Sequence, residues 1–506
     1  MDWMHGYYAN SGYSYGFYPE TMPARLRWAA LLQGNHAPAA NFRYLDAGCG
    51  QGVNLILAAI AHPESEFVGI DFLPEHIAHA RQLAHGCGVT NVTFIEGDFV
   101  ALADDPAALG VFDYAVCHGI STWIQPAVRQ SLFRLIGAVL RPGGLFYNGY
   151  NTQPGWLSMV PFQHLVLLEQ RRNGGEDAIK AAQRHIAGLQ EAAPLLDKAL
   201  PGLKVRLKAT EEQDPAYLVQ EYNNQFWQPM FVSQMFAAMD AVKLHYLGSA
   251  TLPESFEGFL SRELRDLLNG QSDPLMREQL RDYATNQAFR RDLYVKGQNK
   301  LWPSERAELL RESRFVVNPL AKRPDEGEPF KITGSAMELN GRPEFYNELL
   351  DLIAAGKDGT SVGDLIDGVT ESKRKAAVVE TLSMLLHGGW VLPRLPRRKS
   401  KAAQANLAMA TLCTQGAPYR FLCLPDTGCS VTMTDLDWII FKLIGDKVAD
   451  DRIPDSVVAI LKRLGRALAR DGKAVNDRAG QLEVVVSGLT KFREQKLPFL
   501  QSVGAI

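Results

Sequence analysis

The stretch Leu45-Asp46-Ala47-Gly48-Cys49-Gly50-Gln51-Gly52 puts three glycines at alternate positions behind an acid. Glycine-rich turns of this kind between a strand and a helix serve NAD, FAD and S-adenosylmethionine (SAM) alike. A dinucleotide needs the spacing GxGxxG so that its pyrophosphate can approach the helix N-terminus. Here Gly48, Gly50 and Gly52 follow Asp46, whose carboxylate would repel a diphosphate. SAM instead carries an ammonium and a sulfonium, which the same carboxylate attracts. Its own carboxylate can accept from the backbone N–H groups of the turn, Cys49 included.

Further groups follow in the order such a ligand would need. Asp71-Phe72 ends the next apolar run, where a carboxylate can accept both ribose hydroxyls. In Glu96-Gly97-Asp98-Phe99 an acid can accept the adenine amino group while Phe99 packs on the ring. His118-Gly119 comes next, beside the expected place of the reacting methyl. Each has a plainer alternative: Asp71 as a helix cap, Phe99 as core and His118 as a structural hydrogen-bonding residue. His76 and His79 have no cysteine or carboxylate cluster with them, so they read as a surface helix and no metal is expected.

These residues need a scaffold that gathers strand ends. From Phe42 the sequence alternates short apolar runs with helix-length amphipathic stretches, the pattern of a doubly wound α/β sheet. The expected strands are Arg43–Ala47, Glu66–Ile70, Val92–Glu96, Phe112–Cys117 and Gly144–Gly149, and the candidate ligands fall at their C-terminal ends, where open parallel sheets bind ligands. A helical insertion follows over about 157–225. The pattern resumes with a helix at Met230–Ala241 and a strand at Lys243–Gly248, and Phe289–Lys296 reads as a closing antiparallel strand after a second insertion at about 253–287.

The domain reading is an N-terminal aromatic lid over 1–35, the α/β domain over 36–298, a connector over 299–330, a winged-helix-like domain over 331–397 and a mainly helical domain over 402–506. In the winged-helix-like unit, helices at Pro343–Ala355, Ser361–Ile366 and Glu371–His387 lead to a hairpin beginning at Trp390-Val391-Leu392. The basic tract Arg394–Lys401 then leads to the last unit.

At 506 residues the chain exceeds one ordinary core. A net charge of -3 gives no bulk attraction to nucleic acid or anionic lipid. Six cysteines without a CxxC pair suit reduced thiols, with Cys423 and Cys429 as ordinary thiols. No basic leader precedes an apolar stretch, and no run nears the roughly eighteen apolar residues of a membrane span. The expectation is a cytoplasmic protein, not membrane-inserted, with a homodimer left open.

At these residues the chain resembles the class I SAM-dependent methyltransferases, and more narrowly the bacterial group that carries a methyltransferase regulatory domain. The narrower resemblance rests on Tyr13 to Leu26 with Tyr18-Pro19, on Tyr150-Asn151-Thr152-Gln153-Pro154-Gly155-Trp156, and on Glu221-Tyr222-Asn223-Asn224-Gln225-Phe226-Trp227-Gln228-Pro229. It covers the chain well to about residue 300. The group includes rickettsial-type protein lysine methyltransferases, which implies a Rossmann-like class I core with appended domains acting on proteins.

The sulfonium methyl is electrophilic, so the protein's share of an in-line displacement is positioning, desolvation and loss of a proton from the acceptor. A lysine amine must first become neutral, which an apolar aromatic channel favours. Trp123, Tyr150, Asn151, Trp156, Tyr222 and Trp227 are the candidate lining, and His118, Tyr150 and Glu221 the candidate proton acceptors or orienting groups. Tyr13, Tyr15 and Tyr18 would close over the methyl as a lid. Two other readings stay open: a small-molecule N- or O-methyltransferase, and a SAM-binding regulator touching DNA through the tract Arg394–Lys401.

Overall fold

The computed structural model describes residues 15–506 except 193–194, 212, 214, 259, 299, 335–337, 357 and 471–472. Its first part runs α1 (Pro23–Leu32), β1 (Arg43–Ala47), α2 (Val53–Ala61), β2 (Glu66–Asp71), α3 (Pro74–Gly86), β3 (Val92–Glu96), α4 (Phe99–Asp104), β4 (Phe112–His118), α5 (Pro126–Val139) and β5 (Leu140–Asn151). Then come α6 (Val160–Gln170), α7 (Gly175–Ala192), α8 (Leu195–Ala199), α9 (Pro201–Thr210), α10 (Pro215–Tyr222), α11 (Val232–Asp240), β6 (Leu244–Ser249), α12 (Arg262–Asn269), α13 (Pro274–Thr285) and β7 (Phe289–Lys296).

The strands form a seven-stranded sheet in the order β3-β2-β1-β4-β5-β7-β6. The first five are parallel, and β7 enters antiparallel between β5 and β6. This is the Rossmann-like methyltransferase sheet with a reversed last strand. Register aligns the ligand-bearing ends: Ala47 pairs with Ile70, Asp71 with Glu96, and His118 with Gly149. The crevice therefore opens at one edge of the sheet.

The first insertion has its own core. On α7, Ala178, Ile179, Ala182 and Ile186 recur at helical spacing and bury against Phe162 and Val166 of α6 and against Leu203, Leu218 and Trp227. Trp123, from the loop after β4, joins them.

Every residue of α2 is buried. A helix whose residues other than Asn54 are all apolar must be covered on both faces. The sheet covers one; the C-terminal unit covers the other through β13 (Phe421–Leu424) and β14 (Cys429–Thr432), with the Cys423 thiol 3.5 Å from the Leu57 carbonyl.

Between these parts lie α14 (Pro303–Glu312), β8 (Arg314–Val317), the hairpin β9 (Phe330–Thr333) and β10 (Glu338–Gly341), α15 (Pro343–Ala355), β11 (Thr360–Ser361), α16 (Val362–Gly368), α17 (Ser372–His387) and β12 (Val391–Pro393). The hairpin expected from Trp390 does not form there: β12 pairs antiparallel with β8, from the segment read as connector, and the chain runs on into α18 (Ala402–Thr414). Phe315 is buried on β8, and opposite this strand Val391 and Leu392 meet Val317 and Val316. A strand made of connector residues thus supplies the apolar partner. Helices α19 (Asp435–Gly445), α20 (Ile453–Arg463), α21 (Arg478–Lys491) and α22 (Leu497–Ser502) complete the last unit. Among the described residues no helix is long and apolar enough to cross a membrane.

Candidate functional site

β1 ends in a turn that only glycine fits. Gly48, Gly50 and Gly52 have φ of 91°, 52° and 77°, backbone that side chains rarely tolerate. A Cβ on Gly48 would lie 2.6 Å from Ile120, and one on Gly52 2.6 Å from Ala80. The Gly48 and Cys49 N–H groups donate to the Ile70 carbonyl at 2.8 and 3.0 Å. The Gly50 N–H donates to Asp71 Oδ2 at 2.9 Å, and the Leu73 N–H to Asp71 Oδ1 at 3.0 Å. Asp71 is therefore a strut for the turn, with its carboxylate held at the crevice.

Two hollows meet at Gly48. One lies among Tyr18, Asp46, Gly48, Cys49, Asn54 and His118. The other lies among Asp71, Phe72, Asp98, Phe99, Ile120 and Val128. Shared lining at Gly48 makes them halves of one cleft. Burial, reinforced by Asp71, raises the Asp46 carboxyl to about 7. Asp98 caps α4, its Oδ1 accepting from the Val100 N–H at 2.8 Å. The residues fit SAM through acids on both sides of a glycine-rich turn; the turn N–H groups of Gly48, Cys49 and Gly50, expected to meet the carboxylate of SAM, instead donate to Ile70 and Asp71. Gly119 has a φ of 71° and donates its N–H to the Gly149 carbonyl at 2.8 Å, fixing the loop after β4.

Tyr18 closes the first hollow. Its N–H donates to Asn54 Oδ1 at 3.0 Å, and the Asn54 amide donates to Thr21 Oγ1 at 3.0 Å. Its ring lies 4.2 Å from that of His118. His118 Nδ1 is 2.8 Å from the Tyr147 hydroxyl, and a Cβ on Gly149 would come within 2.8 Å of that nitrogen. Burial, then Arg291, pushes the His118 ring down to about 4, so it is neutral at pH 7. Although burial opposes it, Arg291 and Arg25 hold the Glu20 carboxyl below its ordinary value.

Some sequence expectations fall elsewhere. Tyr13 lies outside the described residues. Tyr15 packs 5.2 Å from His79 and 5.6 Å from Tyr419 of the C-terminal unit, and does not line the hollow that holds Tyr18 and His118. His76 is buried, and His79 bridges the Gln51 carbonyl and the Tyr419 hydroxyl at 2.8 Å each, so this face of α3 is a covered one, not a surface. Among the described residues no cluster could hold a metal ion. All six cysteines are free and buried.

Tyr150 is not brought to the cleft. Strand alternation sends Tyr147 and Tyr150 to opposite faces; the Tyr150 hydroxyl donates to Asp292 at 2.8 Å within the core beneath the sheet. Tyr147, which the sequence reading passed over, takes the place beside His118, and the alternation of β5 was the signal for it. Asn54, Tyr217 and Arg291 were missed too, since nothing local marks them.

The remaining candidates form one cluster. Glu221 Oε1 accepts from Asn151 Nδ2 at 2.7 Å and Trp227 Nε1 at 3.0 Å, and Oε2 from the Tyr217 hydroxyl at 3.4 Å. Burial raises the Glu221 carboxyl against those bonds. Trp156 meets Trp227 at 5.5 Å and Tyr222 at 6.3 Å, edge to face. Burial, then Glu221, raises the Tyr217 phenol.

Known families agree with this geometry. Residues 38–191 match the family described as methyltransferase domain, and residues 214–296 the one described as predicted methyltransferase regulatory domain. The latter span supplies β6 and β7, so it is part of the sheet. The chain is 30% identical over 519 aligned positions to the Synechocystis sp. protein sll1526, covering 100% of both. It is 26% identical to the Rickettsia prowazekii protein RP789 over 61% of this chain and 56% of that one. The structure of PKMT2 from Rickettsia typhi in complex with AdoHcy superposes with a TM-score of 0.71 at 20% identity, covering 95% of this chain and 98% of that one. The glycine turn, the acids at the strand ends and these matches agree, and the chain belongs to the class I SAM-dependent methyltransferases that carry a methyltransferase regulatory domain.

Proposed function

We propose that the enzyme transfers the SAM methyl group to a protein, at a lysine side-chain amine. The observation that carries this reading is the buried Glu221 carboxylate amid Tyr217, Tyr222, Trp156 and Trp227, joined through Asn151 to the end of β5, the strand whose Gly149 pairs with His118. A carboxylate among aromatic faces attracts an ammonium, while the dry walls favour its neutral form. Resemblance to rickettsial-type protein lysine methyltransferases supports the same acceptor. Bound SAM supplies the electrophilic methyl.

In this reading Asp46 holds the ammonium of SAM, Asp71 the ribose hydroxyls, and Asp98 with Phe99 the adenine. Tyr18 excludes water. His118 is too weak a base at about 4 to deprotonate an ammonium; with Tyr147 it orients the acceptor. The DNA-contacting alternative loses support because the three arginines of the basic tract are engaged in ion pairs: Arg394 and Arg397 lie against Asp358 and Asp426, and Arg398 binds Glu64.

The test is incubation with radiolabelled SAM and lysate, then protease treatment and acid hydrolysis. Label is expected in protease-sensitive material and in methylated lysine, and Glu221→Gln is expected to cut the rate about 10- to 100-fold at unchanged SAM affinity. Label confined to small molecules would support the small-molecule reading instead.

Asp46 gives SAM binding a pH dependence. Its folded-state carboxyl titrates at about 7 without ligand; the cation binds the ionised form, so affinity is full above that value and lost as pH falls through it. Calorimetry is expected to show S-adenosylhomocysteine binding weakening about tenfold per pH unit below 7, with Asp46→Asn weaker throughout and flat. A steep profile surviving in Asp46→Asn would assign the titration elsewhere.

A further inference from the structure

Away from the SAM cleft, a cavity opens where α1, the end of α2, β8 and the segment after β12 converge. Arg27, Arg314, Arg394 and His62 line it, and none of its lining residues is acidic. Arg394 is neutralised by Asp358 and Asp426, and Arg314 donates to the Gly359 carbonyl at 2.6 Å. Arg27 has no carboxylate partner among the described residues. His62 is 1% exposed, and both of its ring nitrogens are buried without a hydrogen-bond partner. Its ring packs edge-on to Phe42 at 5.2 Å, and burial, then the Arg398 charge, pushes it down to about 3, so it is neutral here.

Buried polar groups are almost always satisfied, and an exception asks for a missing partner. A cavity with uncompensated positive charge and an unpaired imidazole asks for an acceptor of hydrogen bonds carrying negative charge. Apart from Ser313 the rest of the wall is apolar: Trp28 and Phe315 meet edge to face at 5.1 Å, with Leu31 and Leu395 beside them.

We propose that this cavity is a second ligand site, taking a small organic anion whose carboxylate or phosphate group meets Arg27 and His62 and whose apolar body lies on Trp28 and Phe315. It is separate from the SAM cleft, with which it shares no lining residue. The site joins α1, which follows directly on the Tyr18 closure, to the middle unit.

The test is isothermal titration of the full chain saturated with S-adenosylhomocysteine, using phenyl phosphate and benzoate as probes and inorganic phosphate and phenol as controls. Binding of one aryl anion at one site per chain is expected, at least tenfold tighter than either control; the stronger of the two tells phosphate from carboxylate. Arg27→Gln is expected to weaken it at least tenfold. Ala39→Phe, which narrows the cavity without altering charge, is expected to abolish it while S-adenosylhomocysteine binding persists, and this variant decides the matter if Arg27→Gln fails to fold. No heat from either aryl anion, or binding unchanged in the folded variants, overturns the proposal. Inorganic phosphate binding as tightly as phenyl phosphate means an adventitious ion only, and overturns it as well.

Discussion

Asp71→Ala is expected to abolish methyl transfer by removing SAM binding while leaving the chain folded. In the proposed complex the carboxylate accepts two ribose hydroxyls, and hydrogen bonds to a charged group contribute about 1.5–3 kcal/mol each. The same carboxylate accepts the Gly50 and Leu73 N–H groups, so its loss also frees the turn that must lie against the ligand. Together these predict at least about a 100-fold loss of S-adenosylhomocysteine affinity by calorimetry. Asp71→Asn keeps one acceptor oxygen and should fall in between. Affinity within threefold of the parent in Asp71→Ala would remove this residue from the site.

Arg290→Leu is expected to cost the most stability. Arg290 on β7 is almost wholly buried and meets Asp282 at 2.5 Å, Glu278 at 2.8 Å and Asp292 at 2.9 Å. Breaking a buried pair from one side leaves uncompensated charge, worth about 3–5 kcal/mol, and here one cation serves three carboxylates. The transition of the α/β unit should drop by roughly 10 °C in calorimetry. Burial already raises Asp282 to about 7, with Asp292 and Glu278 adding to it against Arg290. A raised acid stabilises in its protonated form and loses that contribution as pH rises through the folded value. The deficit of Arg290→Leu should therefore be smaller at pH 5.5 than at pH 8. A uniform deficit across that range would argue against charge as its cause. Tyr150, tied to Asp292, belongs to this network, which accounts for an aromatic-rich motif residue with no access to the cleft.

What could be read from the sequence was what repeats or punctuates. Strands β1 to β4 follow the alternation and the glycine and acid signals because each must bury both faces and end at a ligand. The antiparallel entry of β7 could be read for the same reason. Tyr147 and Tyr150 show the limit: side-chain chemistry suggested the wrong one, and only the period of the strand distinguishes them. His79 and Tyr15 were misplaced because their surroundings come from Tyr419, far along the chain. The composition of α2 carried a warning, since Val53–Ala61 has no polar face to give to water. The cluster of Glu221, Asn151, Trp156 and Trp227 was visible as motifs but not as an assembly, because tertiary contact, not spacing, joins them.

The antiparallel position of β7 also governs how the molecule must be made. β5 and β6 touch only through β7, which leaves the ribosome after both of them. While α6 to α10 are being synthesised, β5 offers an unpaired edge to whatever surrounds the nascent chain, and β6 has no neighbour until residue 289 emerges. Unpaired edges recruit foreign strands. The helical insertion, with an apolar core of its own, can condense beside that edge in the interval.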